Sequence, residues 1–149
     1  MNPRTHTHSA ARSRGFSMVE VLVALLVLSI GLLGIAGLQL TSVRANQSAY
    51  LRGQAVMLAK QALDRVRANA GNVNAYAIQL SASAPTSPNT QPGRDLQTWL
   101  QDVTRALPSG DGAINVNATD EVTVTVTWDN NRDGDTTDAE ESIRIVSRI

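Results

Sequence analysis

Residues 15–40 read GFSMVEVLVALLVLSIGLLGIAGLQL, and across residues 21–38 every side chain is apolar or glycine except Ser29. A helix of ~20 such residues matches the ~30 Å hydrocarbon core of a bilayer. The pattern predicts a membrane-spanning helix. Glu20 stands one residue ahead of the run, where burying a charge costs roughly 2.5–3.5 kcal/mol on insertion scales. A carboxylate in that position needs a partner.

Residues 1–15 contain Arg4, Arg12 and Arg14 and no acidic residue. A secretory signal peptide puts its apolar region ahead of its cleavage site; here no apolar run precedes Phe16. The helix is therefore expected to stay with the protein as an anchor. The three arginines favour a cytoplasmic N-terminal end, with the remainder of the chain across the membrane, and Arg44 on the far side weakens that asymmetry slightly.

Arg14, Gly15, Phe16, Ser17 and Glu20, followed by the apolar run, resemble the processing site of a bacterial type IV prepilin. The stretch VLSIGLLGIAGLQLTSVRANQSAY resembles the PilV-type minor pilins more than a major subunit. The resemblance covers residues 12–69. It implies that a prepilin peptidase cleaves after Gly15 and methylates the new N-terminus at Phe16. It also implies that Glu20 sets subunit registration in assembly by meeting the Phe16 amine of a neighbouring subunit. The implied fold is an α+β, type IV pilin-like ladle, in which a long N-terminal helix, membrane-spanning in its first half, packs on a small antiparallel sheet.

The implied localisation is the inner membrane, single-pass with a cytoplasmic N-terminus, and the pilus at the cell surface after assembly. The implied function is that of a minor pilin in priming or in a tip complex, and so in adhesion or twitching motility. Its partners would be other minor pilins, the major pilin and a pilus-tip adhesin. Two alternatives stay open: a type II secretion pseudopilin, which shares the leader and Glu20, and a membrane-anchored calcium- or ligand-binding module.

Composition narrows the chemistry. The 149 residues, 42% of them hydrophobic, suffice for a membrane helix and one small domain. Cysteine is absent, so the disulfide that closes a C-terminal loop in many pilins is excluded, and the two histidines, His6 and His8, lie in the expected leader. The rest of the chain lacks the commonest general bases, nucleophiles and zinc ligands, which argues against an enzyme. No cofactor is required on this reading. Beyond residue 15 the chain carries ten basic and thirteen acidic residues, a balance unlike the basic stripe of a nucleic-acid reader.

Four segments are expected: the leader at 1–15, the transmembrane or filament-core half of the helix at 16–40, its amphipathic half at 41–70, and a periplasmic or extracellular domain at 71–149. In the amphipathic half, Leu51, Ala55, Leu58, Ala62 and Val66 trace one helical face, while Arg44, Arg52, Lys60 and Arg67 lie elsewhere. Tyr50 and Met57 border that face and read as core or interface filler. Residues 71–93 have a loop composition, with one helical turn expected within 75–80. A helix capped by Asp95 follows, with Leu96, Trp99, Leu100, Val103 and Leu107 as its apolar stripe and Pro108 as its stop. Three strands then alternate apolar and polar residues: Ile114, Val116 and Ala118; Val122, Val124, Val126 and Trp128; Ile143, Ile145 and Ser147.

Between the last two strands, DNNRDGDTTDAE matches the calcium-loop pattern D-x-[DN]-x-[DN]-G-x₅-E at Asp129, Asn131, Asp133, Gly134 and Glu140, with Asp135 a further candidate ligand. Oxygen donors at alternate positions can converge on a hard cation when the glycine permits a sharp turn. The same residue types also make an ordinary solvated hairpin loop. Strands, not the helices of an EF-hand, flank this one. A calcium site here would be weak, with a dissociation constant of ~10⁻⁴–10⁻³ M.

Overall fold

A computed structural model describes residues 15–85, 89–118, 121–134 and 141–149. The chain divides into two compact units, Met1–Val43 and Arg44–Ile149. Helix α1, Met18–Ala68, contributes its first half to one and its second half to the other.

In the first unit, α1 begins two residues later than the expected start at Phe16, because Ser17 takes the capping position. Its Oγ accepts from the Val19 N–H at 3.3 Å and its carbonyl accepts from the Val21 N–H at 3.2 Å, which satisfies donors that a helix N-terminus otherwise leaves orphaned. Every side chain of the apolar run is exposed. Ser29 within the run donates to the Leu25 carbonyl at 2.7 Å, and Thr41 beyond it to the Gly37 carbonyl at 3.2 Å. A helix that bonds the one hydroxyl of its apolar run internally and turns apolar side chains outward on all sides suits a lipid environment.

In the second unit, α1 presents Leu51, Ala55, Leu58, Ala59, Ala62, Leu63 and Val66 to the core. This is the expected face, widened by Ala59 and Leu63. Tyr50 and Met57 are exposed, which corrects the core reading of both. After Ala68 the chain tightens into a 3₁₀ segment, Ala70–Tyr76, earlier than the turn expected within 75–80. Asn69 and Asn72 explain the change: their side chains bond to each other at 2.9 Å, and Asn72 leaves helical geometry at φ −126°. Such local bonding competes with regular helix.

Helix α2, Gln91–Ala106, is capped by Thr90, whose Oγ1 accepts from the Gly93 N–H at 3.3 Å, with Pro92 in the first turn. The expected cap at Asp95 is thereby corrected. Pro92 lacks an N–H that the first turn would leave unbonded anyway, so the helix starts a turn earlier. Asp95 instead bonds sideways. Its Oδ2 accepts from Tyr76 Oη at 2.7 Å and its carbonyl from Arg65 Nη1 at 2.9 Å. Burial and the Asp95 contact raise the Tyr76 pKa above its ordinary 10.0, because both disfavour a phenolate there.

The sheet has strands β1, Asp111–Val116, β2, Glu121–Thr127, and β3, Ser142–Arg148, in the order β1-β2-β3 and antiparallel throughout. Ala118 falls beyond β1, whose ladder ends at Val116↔Val122. Register pairs Ile114 with Val124, and Val126 with Ile143; these side chains, with Val122 and Trp128, face the core shared with α1 and α2. Ile78 exchanges two 2.9 Å backbone bonds with Ile114, so the 3₁₀ exit covers part of the β1 edge. The architecture is α+β, with a long helix packed on a three-stranded antiparallel sheet.

Candidate functional site

The Gly15–Phe16 bond lies outside helical structure, immediately before the Ser17 cap, and Phe16 is exposed. A protease needs an accessible, non-helical bond, and this one meets that requirement. Glu20 is exposed in the first turn of α1. There the helix macrodipole favours a negative charge, which offsets part of the cost of holding it beside the apolar run. Among the described residues Glu20 has no ion-pair partner. Ser17 and Glu20 also form the S-x-x-E spacing of a capping box. That signal was present in the sequence and identifies Ser17 as the residue that begins the helix.

The acidic loop starts from the end of β2. Trp128 N–H donates to the Glu141 carbonyl at 2.9 Å, prolonging the ladder, and Asp129 N–H donates to the Pro108 carbonyl at 2.9 Å. Asp129 is buried because both its oxygens are used: one accepts from the Arg132 N–H, the other from the Gly134 N–H at 3.1 Å. Asn131 Oδ1 accepts from the Asp133 N–H at 2.9 Å, and Asn131 Nδ2 donates to Asp133 Oδ2 at 2.9 Å. Gly134 has φ +88° and Arg132 φ +62°, the left-handed geometry that such a turn requires. Asp135 and Glu140 lie outside the described residues.

Glu141, which the pattern passes over in favour of Glu140, is 1% exposed. Its Oε1 accepts from the Asn130 and Asn131 N–H groups at 2.8 and 3.3 Å, whereas its Oε2 has no partner among the described residues. A buried carboxylate oxygen without a donor is rare enough to require an explanation. Among the described residues no three acidic side chains gather closely enough to hold a metal ion. Over the described residues 129–134, backbone N–H groups supply most of the bonds to the loop's polar side chains.

Two family models match the chain. Residues 10–36 match the prokaryotic N-terminal methylation motif, and residues 37–97 match the type IV pilin Tt1218 family. No curated protein and no solved structure matches it.

Proposed function

We propose that this chain, which carries a prokaryotic N-terminal methylation motif followed by a type IV pilin domain, is a minor pilin of the PilV type that enters a priming or tip complex. The two family matches support the coarser reading, a structural subunit of a pilus or pseudopilus that undergoes prepilin processing. The observation that carries the pilin reading is the continuity of the two matches, and the finer PilV-type reading rests on the resemblance of residues 27–50. The methylation motif ends at residue 36, the pilin domain begins at residue 37, and α1 runs through both without a break.

In this reading cleavage after Gly15 creates an ammonium at Phe16, four residues before Glu20 and on the same side of the helix. Glu20 of an incoming subunit meets the Phe16 amine of a subunit already assembled. Two opposite charges that pair in an apolar setting relieve much of the desolvation cost each bears alone, so one register of insertion is favoured. No side chain here is assigned a catalytic role; the chain is a substrate of the peptidase. Other minor pilins, the major pilin and a tip adhesin are the proposed partners, in adhesion or motility.

Mass spectrometry of sheared surface filaments beside membranes from the same cells tests this. A low-abundance surface form beginning at methylated Phe16 is expected. A processed form confined to the membrane fraction would favour the secretion pseudopilin, and a membrane form still beginning at Met1 would refute processing altogether.

A second reading concerns the acidic loop, whose residues 129–140 fit the calcium-loop pattern and beside which Glu141 Oε2 is buried with no hydrogen-bond partner among the described residues. We propose that a hard divalent cation such as calcium engages Asp129, Asn131 and Asp133, with Asp135 and Glu140 completing the set. It would fasten the β2–β3 connection in a chain without disulfides. Calcium at millimolar concentration should then raise the melting temperature of the full-length protein in detergent, and Asp133→Ala should abolish the rise. An unchanged wild-type melting curve would rule the cation out.

A further inference from the structure

The two edges of the sheet differ. At β1 the Ile114 N–H and carbonyl point away from β2 and are taken by Ile78 through two 2.9 Å bonds, and the Gly112 N–H donates to Asp111 Oδ1 at 2.7 Å. At β3 the bond from the Trp128 N–H to the Glu141 carbonyl fixes which residues bond inward. Bonded and non-bonded pairs alternate along an antiparallel ladder. Glu141, Ile143, Ile145 and Ser147 therefore turn their backbone groups towards β2, and Ser142, Arg144, Val146 and Arg148 turn theirs away. On that outer side, among the described residues, only the Arg148 carbonyl has a partner, the Ser147 hydroxyl at 3.3 Å.

An edge strand is ordinarily shortened, bulged, interrupted by proline or covered, because its unpaired N–H and C=O groups are a template for another chain. β3 keeps seven residues in unbroken register with β2 and contains no proline. Arg144, Val146 and Arg148 are exposed on the outer face of the sheet, whereas Ile143 is buried on the inner one. Antiparallel pairing of two such edges would gather the arginines of both copies on one face, and like charges that oppose each other across a ladder are destabilising. A strand of different composition meets no such obstacle. The composition that suits β3 is displayed by β2: Glu121, Thr123 and Thr125 stand opposite Arg148, Val146 and Arg144, and Val122, Val124 and Val126 opposite Ser147, Ile145 and Ile143.

We propose that the free edge of β3 accepts an extended strand of a second protein, one that alternates valine-like residues with threonine as β2 does and sets no basic side chain against Arg144 or Arg148. Its main chain pairs with the outward groups of Ser142, Arg144, Val146 and Arg148. Such main-chain bonds supply the affinity of strand addition, and alternate side chains supply its selectivity. The site lies wholly within the second unit and is independent of the membrane and filament readings.

The test uses the full-length chain in mild detergent and a synthetic peptide of sequence EVTVTVT, with blocked ends and a soluble fluorescent tail, followed by fluorescence anisotropy. Wild type should bind it at least tenfold more tightly than a scrambled peptide of the same composition. Val146→Pro removes one outward N–H and leaves the ladder to β2 intact, a change that an edge strand tolerates; it should lower the affinity at least tenfold with an unaltered circular dichroism spectrum. Peptides methylated on alternate backbone nitrogens test the geometry without altering the protein. A strand on one free edge uses every second N–H of the peptide, so methylation at the valines and methylation at the threonines should differ, one abolishing binding and the other sparing it. If both abolish it, the peptide has replaced β2 inside the sheet; if neither does, only side chains are recognised; either result refutes the edge site. So does equal binding by Val146→Pro or by the scrambled peptide, or no binding of the unmodified peptide. A wild-type dimer in sedimentation that Val146→Pro dissociates would make the occupant a second copy and overturn the assignment to another protein.

Discussion

Trp99 Nε1 donates a 3.0 Å hydrogen bond to the Leu58 carbonyl, 41 residues earlier in the chain. The bond joins α2 to the buried face of α1 and satisfies an indole N–H that solvent does not reach. Trp128 is buried as deeply, but its Nε1 has no partner among the described residues. Two tryptophans of equal burial therefore have opposite hydrogen-bonding status.

Trp99→Phe should destabilise the protein by about 1–3 kcal/mol, since it removes the donor to Leu58 and leaves part of the indole volume empty. Trp128→Phe should cost less, because the donor it deletes is unsatisfied. Urea denaturation of both full-length variants followed by circular dichroism checks the order, and an equal or reversed ranking would mean that packing alone sets these values.

Gly112 lies against the Trp99 ring, and a Cβ built at this position would run into Cη2. Gly112→Ala should cost about 1–3 kcal/mol through displacement of the ring. Gly53 is the control: it lies exposed within α1 with nothing within 4 Å of an added Cβ. Gly53→Ala should stabilise by up to about 1 kcal/mol through helix propensity. Melting temperatures should move in opposite directions.

The Tyr76 pKa is raised in the folded protein by burial and by its bond to Asp95. The folded state thus holds this proton more tightly than the unfolded state does. That contribution is fully present below the unfolded value of 10.0 and is lost as pH rises from there through the higher folded value. Stability measured by denaturant titration should fall across that alkaline window, and Tyr76→Phe should flatten this part of the profile while costing about 1 kcal/mol at neutral pH for the lost bond.

Glu20→Gln keeps size and hydrogen-bonding capacity and removes the charge. Membrane insertion should be unimpaired or slightly improved, as an apolar setting disfavours carboxylate. Recovery in sheared filaments should fall by about tenfold or more, corresponding to at least ~1.4 kcal/mol of lost pairing. Wild-type recovery of the variant would show that Glu20 serves only the helix N-terminus, where it favours the macrodipole.

Most of the secondary structure was legible because it depends on local periodicity. The unbroken run to Leu38, the Leu51, Ala55, Leu58, Ala62, Val66 face and the Val122, Val124, Val126 alternation each report which side of a helix or strand avoids water. The methylation motif was equally legible, since Gly15, Phe16 and Glu20 are close in sequence and stand against an apolar background. The methylation motif matches that stretch, while the roles assigned to these three residues remain the proposal made above.

Tertiary structure decided the partners of polar groups. Asp95 carries the residue type of a helix cap, but Thr90 with Pro92 starts α2 first, which leaves Asp95 to Tyr76 and Arg65. Gly112 looks replaceable until the Trp99 ring is known to cover it. Glu141 lies one residue past a recognisable pattern, and its burial follows from Asn130 and Asn131 folding their N–H groups back onto it. Apolar burial repeats along the chain and can be read from it, whereas a hydrogen bond or a shared charge needs two particular atoms within about 3–4 Å, a condition that the folded chain alone satisfies.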